Sequence, residues 1–79
     1  MKQISIIVRA TWDDEAGVYV ATSNDVDGLA AEAPTLEELR VKVLDIIPDL
    51  LELNGVDTDL RELPVHIMSE QVDMVRVPR

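Results

Sequence analysis

The segment that most constrains the fold is Pro34-Thr35-Leu36-Glu37-Glu38, which has the pattern of a helix N-terminus. Thr35 is a preferred N-cap residue, and Glu38 follows three positions later, where its side chain can reach back to the Thr35 amide. Glu37 and Glu38 also meet the positive end of the helix dipole. The sequence therefore predicts that a helix begins at Thr35.

The residues after this start have the spacing of one apolar helix face. Its members are Leu36, Leu39, Val43, Ile46, Ile47, Leu50 and Leu53. Gly55 suits the end of the helix because a residue without Cβ readily adopts the left-handed conformation. Pro48 interrupts the pattern, since it cannot donate to the carbonyl four residues back and its ring crowds that turn. We therefore expect a kink or a break between Asp45 and Pro48.

The N-terminal residues alternate with a period of two, which is typical of a half-buried strand. Ile7 is the one large apolar residue of the outward parity. The inward parity consists of Ile4, Ile6, Val8, Ala10 and Trp12. The alternation predicts a first strand over residues 3–12.

Residues 13–17 have the composition of a turn, and Gly17 can take a positive φ without a Cβ clash. A three-residue hairpin loop that ends at Gly17 places Trp12 opposite Val20. In this register the apolar residues of both strands share one face. The sequence predicts a second strand over residues 18–23.

Three further segments have β-strand character. Residues 29–33 predict a short third strand, and residues 63–68 predict a fourth strand with Pro64 near its start, where a missing donor is tolerated. Residues 72–77 are also β-prone, and three arrangements are open for them. They could continue the fourth strand, fold back as a hairpin, or pair with another chain.

These elements assemble into an α+β domain of order β-β-β-α-β. A helix that crosses back over the sheet leaves the fourth strand parallel to the first, which gives the strand order 3-2-1-4 with the helix on one face. We expect a single domain over residues 1–79, with a core of about 1–68 and a C-terminal tail of 69–79.

The opposite face of this predicted sheet carries apolar side chains, and it must be solvated, covered by the tail, or buried against a partner. Together with the tail these side chains predict self-association, most simply as a two-fold homodimer or a higher homo-oligomer. The candidate self-association residues are Ile7, Tyr19, Ala21, Val72 and Met74.

Composition excludes several classes of function. The 79 residues include 16 acids, 7 bases and no cysteine, for a net charge of −9. A chain without cysteine has no disulfide, no Cys-based zinc site and no thiol nucleophile. Bases occur in no run, and Trp12 and Tyr19 are the only aromatic residues, so we expect no direct contact with nucleic acid. No apolar stretch is long enough to span a membrane and the start does not resemble a signal peptide, so we expect a cytoplasmic protein with no membrane contact.

The negative charge favours a cationic partner, because a field of one sign steers the encounter with the opposite sign. The candidate partner-binding residues lie in two turns and are Asp13, Asp14, Glu15, Asp25 and Asp27. Acids on one turn usually point apart into water, and residues 25–28 lack the closing Glu of a calcium-binding loop. We therefore predict no metal site and no cofactor.

His66 is the only side chain suited to proton transfer near neutral pH. The sequence offers no recognisable nucleophile and no orienting acid for it. We therefore predict that the protein has no catalytic residues and is not an enzyme. A small hydrolase that uses His66 is the weakest of the hypotheses considered.

The order of these motifs resembles the HicB-like antitoxin family, particularly its short members of unknown function. A hairpin over residues 12–21 is followed by Asp25-Val26-Asp27-Gly28-Leu29-Ala30, and then by Ala33-Pro34-Thr35-Leu36-Glu37-Glu38-Leu39 at the helix start. The similarity covers about residues 1–68. It implies a partial ribonuclease-H-like fold without the complete acidic site of an active ribonuclease H.

The resemblance also implies a partner, which is a small basic HicA-like toxin whose catalytic histidine the antitoxin masks. Fuller members of the family carry a C-terminal DNA-binding segment. Residues 1–79 contain none, so the resemblance leaves open whether this chain takes part in transcriptional regulation. Two hypotheses follow: an antitoxin-related module that neutralises a basic ribonuclease, or an orphan self-associating structural domain with neither toxin partner nor catalysis.

Overall fold

The computed structural model describes residues 2–79, so Met1, the first residue of the predicted domain, lies outside the described residues. Four strands form one sheet in the order β3-β2-β1-β4, in which β1 is antiparallel to β2 and parallel to β4. The elements are β1 (Ile6–Asp13), β2 (Val18–Thr22), β3 (Ala31–Ala33), α1 (Leu36–Leu53) and β4 (Val65–Glu70). The predicted α+β topology is confirmed. No helix among residues 2–79 is long and apolar enough to cross a membrane.

The core lies between α1 and one face of the sheet. Ile6, Val8 and Ala10 of β1 are fully buried, while Ile7 and Arg9 between them are exposed, as the alternation of a strand requires. The helix contributes its buried residues Leu39, Val43 and Ile47, and the loop before β3 contributes Val26 and Leu29.

The N-terminus of α1 has the predicted cap. The Glu38 amide donates to Thr35 Oγ1 at 3.1 Å, and Thr35 Oγ1 donates in turn to Glu38 Oε2 at 3.3 Å. The Glu38 carboxylate therefore accepts from the Thr35 hydroxyl and not, as predicted, from the Thr35 amide. At the other end, Gly55 has the expected positive φ of 62°.

The helix continues without interruption through Pro48 to Leu53, so the alternative of a break is wrong. Pro48 is exposed, so the carbonyl that loses its donor, that of Leu44, lies on a face that water can reach. Burial of Val43 and Ile47 holds both halves of the helix against the sheet.

The hairpin between β1 and β2 is one residue longer than predicted. Asp13 lies opposite Val18, and Trp12 lies opposite Tyr19 and not Val20. Asp13 makes the difference, because its Oδ1 accepts from the amides of Glu15 and Ala16, both at 3.1 Å, in an Asx-type turn.

A shift of one residue moves every β2 side chain to the other face of the sheet. Ala21 lies opposite Ala10 and is fully buried in the core, and Tyr19 packs against that core. The predicted placement of these two residues on the exposed face, as self-association residues, is therefore wrong. Of the three predicted self-association residues that lie on β1 and β2, Ile7 is the one that faces solvent.

Candidate functional site

The five predicted partner-binding acids form two groups, not one. Asp13 ends β1, whereas Asp25 contacts Ile7, six residues earlier on the same strand, where its Oδ2 accepts from the Ile7 amide at 2.8 Å. Six residues of a strand span about 20 Å. A partner would therefore meet these groups at opposite ends of the sheet.

Three of these acids have roles within the fold. Asp13 closes the hairpin turn, and Asp14 Oδ1 accepts from the indole nitrogen of Trp12 at 3.3 Å. Asp25 continues the β1 hydrogen-bonding pattern beyond the end of β2, together with Ser23, whose hydroxyl donates to the Ile7 carbonyl at 2.6 Å. Glu15 and Asp27 lie exposed beside them.

His66 lies on β4 next to Ile7, exposed on the face of the sheet away from the helix. No carboxylate or hydroxyl hydrogen-bonds to its ring among residues 2–79. In the same part of the chain, no group of three or more acidic or histidine side chains converges as a metal site would require.

A second set of acids lies on the exposed surface of α1. Asp45, Asp49 and Glu52, here named the acidic stripe, share one side of the helix because they are spaced by four and three residues. These acids repel each other, and Glu52, in a last turn that contains no base, also faces the negative end of the helix dipole. Sequence reasoning missed this stripe, although the spacing of the three acids within a predicted helix would have revealed it.

Very little of the negative charge is neutralised within the chain. Within the described residues there is one ion pair, between Lys2 Nζ and Asp59 Oδ2 at 2.8 Å, and both of its side chains are exposed. Lys42, the base nearest the acidic stripe in sequence, donates instead to the Glu32 carbonyl at 2.8 Å. No charged side chain of this part is buried.

An apolar groove lies between α1 and β4, because the helix packs mainly over β2 and β3 and leaves the β4 side less covered. This α1–β4 groove has a volume of about 310 Å³. Its apolar lining includes Ile6, Ile47, Leu51, Leu60, Leu63 and Val65.

Comparison with known proteins places the chain in a family. Residues 5–77 match the model of a domain of unknown function, DUF1902. The chain belongs to the DUF1902 family. No curated protein matches this DUF1902 sequence significantly.

A solved structure is similar to this DUF1902 protein over almost its whole length. It is the crystal structure of a hypothetical protein, TTHA1013, from the extremely thermophilic bacterium Thermus thermophilus. The two chains are 51% identical, with a TM-score of 0.70, and the match covers 92% of this chain and 99% of that one. Neither description names an activity, a ligand or a partner, so the resemblance to HicB-like antitoxins stays a prediction.

Proposed function

We propose that this DUF1902 protein is an antitoxin-type binding module, similar to HicB, that neutralises a small basic ribonuclease by protein–protein contact. The proposal gives the chain no catalytic step, cofactor or metal. The observation that carries it is the charge of the surface: a net charge of −9, with a single exposed ion pair among residues 2–79.

Such a surface acts first on the rate of encounter. Unpaired carboxylates in water keep their field, which attracts a cationic protein and orients it before contact. This attraction falls as salt is added, since the screening length is about 10 Å at 0.1 M and about 3 Å at 1 M. A basic partner is therefore expected to associate fast at low salt and slowly at high salt.

The effect of the acidic stripe on helix stability supports the same function. Like charges four residues apart, and acids near a helix C-terminus, each destabilise a helix by a few tenths of a kcal/mol. Asp45, Asp49 and Glu52 therefore weaken the isolated chain slightly. Cationic side chains of a partner would reverse both effects, which makes the stripe the preferred contact surface.

The proposal requires a small basic protein encoded beside this chain's gene, and the test uses that protein, purified with its catalytic histidine replaced. We expect a complex at micromolar concentration and low salt, with an association rate that falls as salt rises. The variant D45N/D49N/E52Q should slow association by about tenfold at low salt and change dissociation less. The matched control D14N/E15Q/D27N removes the same charge from the two turns.

Absence of any complex at micromolar concentration and low salt would overturn the proposal. If the turn variant slows association and the stripe variant does not, the contact surface is the predicted set of turn acids and not the helix. Both variants remove the same number of charges, so a difference between their association rates shows where on the chain the partner binds.

A second candidate is the self-associating structural domain without a toxin partner. The exposed apolar tail after β4 favours it, because Met74 and Val75 are almost fully exposed in the single chain. The molar mass of the species in the mixture separates the two candidates. Both allow a homo-oligomer, but only the antitoxin function gives a complex that contains the basic protein.

A further inference from the structure

Strand β4 has one open edge. It pairs with β1 on one side, and within residues 2–79 no strand pairs with the other side. Native edge strands are commonly protected by proline, lysine or a bulge. The β4 sequence Val65–Glu70 contains neither proline nor lysine, so its outer backbone groups are free to pair with another strand.

The tail that follows β4 is apolar and exposed. Residues 71–79 form no helix or strand, and the exposed fractions are 73% for Val72, 91% for Met74, 84% for Val75 and 65% for Val77. The radius of gyration is 15.1 Å, whereas a compact domain of this length has roughly 12 Å. The chain therefore extends well beyond a compact body, along a longest dimension of 55 Å.

The accessible surface area of the chain is larger than that of a compact monomer of the same mass. The accessible surface is 6352 Å², whereas a compact monomer of 8.8 kDa exposes about 4,800 Å². The excess, about 1,600 Å², exceeds the roughly 800 Å² that each partner buries in a standard stable interface. A second copy that covered the tail and the open edge of β4 would remove this excess.

The charge of the tail, opposite in sign to that of the rest of the chain, favours the same occupant. Residues 1–70 contain 15 acids and 5 bases, a net charge of −10, whereas residues 71–79 contain one acid and two bases, a net charge of +1. The bases are Arg76 and Arg79 at the end of the tail. The segment before β4 holds Asp57, Asp59 and Glu62 against the single base Arg61. Asp59 already pairs with Lys2, so Asp57 and Glu62 are the acids that attract the tail of another copy.

We propose that two copies form a two-fold dimer in which the β4 strands pair antiparallel and each tail lies in the α1–β4 groove of the other copy. A two-fold axis perpendicular to the sheet keeps helix-side residues opposite helix-side residues. Ile67, half-buried on that side, can then lie opposite its own copy. Beyond β4 the tail runs along residues 57–63 of the second chain.

The proposed register places particular side chains in the groove. Residues of the same parity as Ile67 face the helix side, so Val75 and Val77 turn towards the groove, where Leu60 and Leu63 form part of the lining. Arg76 and Arg79 come beside the acidic segment. The groove is thus filled by side chains that a single chain leaves in water.

The first test measures the molar mass and the dissociation constant of the full chain by sedimentation. We expect a dimer at micromolar concentration, and self-association at least tenfold weaker in V75N/V77N. The control V41N/L53N changes two equally exposed residues on the helix and should leave the dimer intact. A monomer at 100 µM, or equal weakening by both variants, overturns the proposal.

The second test locates the tail, and the absence of cysteine makes it unambiguous. Chains carrying V75C are mixed with chains carrying L60C and oxidised mildly. We expect a disulfide between the two kinds of chain in excess of either homodimer. In the double variant L60C/V75C, a disulfide within one chain at high dilution would show that the tail occupies its own groove, which contradicts the exchange.

Different variants test the dimer and the proposed antitoxin function, so one can be disproved without the other. V75N/V77N alters the dimer and leaves the acidic stripe unchanged, so its complex with the basic partner should persist with one copy of each chain. A stripe variant that loses the partner should in turn keep the dimer.

Discussion

Trp12 and Tyr19 lie directly opposite each other across β1 and β2, with their ring centroids 4.8 Å apart and their planes inclined at 61°. This edge-to-face geometry is favoured by the quadrupoles of the two rings. The pair exists because Asp13 closes a longer turn than expected, which brings the rings to one face at the end of the core. The only two aromatic residues of the chain therefore contact each other.

We expect this aromatic pair to be measurably coupled. Trp12→Leu and Tyr19→Leu keep much of the apolar area but remove the ring geometry. A double-mutant cycle of urea unfolding should give a coupling energy of about 0.5–1.5 kcal/mol. The pairing of Thr11 with Val20, adjacent in the same ladder, serves as a control with less expected coupling. A coupling near zero would mean that the rings contribute area alone.

The helix cap makes a second prediction. Thr35→Ala removes the acceptor of the Glu38 amide, so the free energy of unfolding should fall by about 1 kcal/mol. Thr35→Ser keeps the hydroxyl and should retain most of the stability. Chemical denaturation of the three proteins side by side measures the difference, and equal stability of the alanine and serine variants would contradict the cap.

Asp25 provides a third prediction because its carboxylate accepts a hydrogen bond from the Ile7 amide. Asp25→Ala leaves the Ile7 amide without its acceptor and should destabilise the fold by about 1 kcal/mol. Asp27→Ala, two residues on, removes the same charge from an exposed side chain and should change stability by less than about 0.5 kcal/mol. Thermal unfolding of both variants checks the contrast.

For the acidic stripe we expect substitutions to raise the free energy of unfolding and not to lower it. Asp49→Asn combined with Glu52→Gln removes repulsion and an unfavourable interaction with the helix dipole, so the free energy of unfolding should rise by a few tenths of a kcal/mol. The gain should shrink as salt is added, because both effects are screened. Denaturant curves at low and high salt measure it, and a loss of stability would show that the acids support the helix instead.

Local signals in the sequence predict most of the elements. The Thr35 cap, the apolar face of α1 and the alternation of β1 are patterns of neighbours, and each produces the expected element. The strand order 3-2-1-4 also follows, because element order and the handedness of crossovers leave few arrangements. The predicted bounds of β1, β3 and β4 differ from the observed ones by up to three residues, and the first strand begins at Ile6 and not at Gln3, because strand ends depend on their neighbours.

The candidate surface was harder to predict, and Asp13 explains why. Its carboxylate could point to solvent or fold back on two amides, and the choice adds one residue to the hairpin. That residue decides whether Tyr19 and Ala21 face the core or the open side. A pattern of apolar residues cannot decide it, because Val18 and Val20 would fit the core equally well by hydrophobicity.

The amino-acid sequence by itself determined the helix, the strands, their order and the negative charge, since all of these depend on residues close in the chain or on simple counts. Only the tertiary structure decided which side of β2 is buried, that the turn acids are divided between two ends of the sheet, and that β4 and the tail are left uncovered. The first outcome depends on a local turn at Asp13 that the pattern of apolar residues does not predict. The others depend on contacts between residues distant in sequence, such as Asp25 with Ile7, and such contacts have no local pattern.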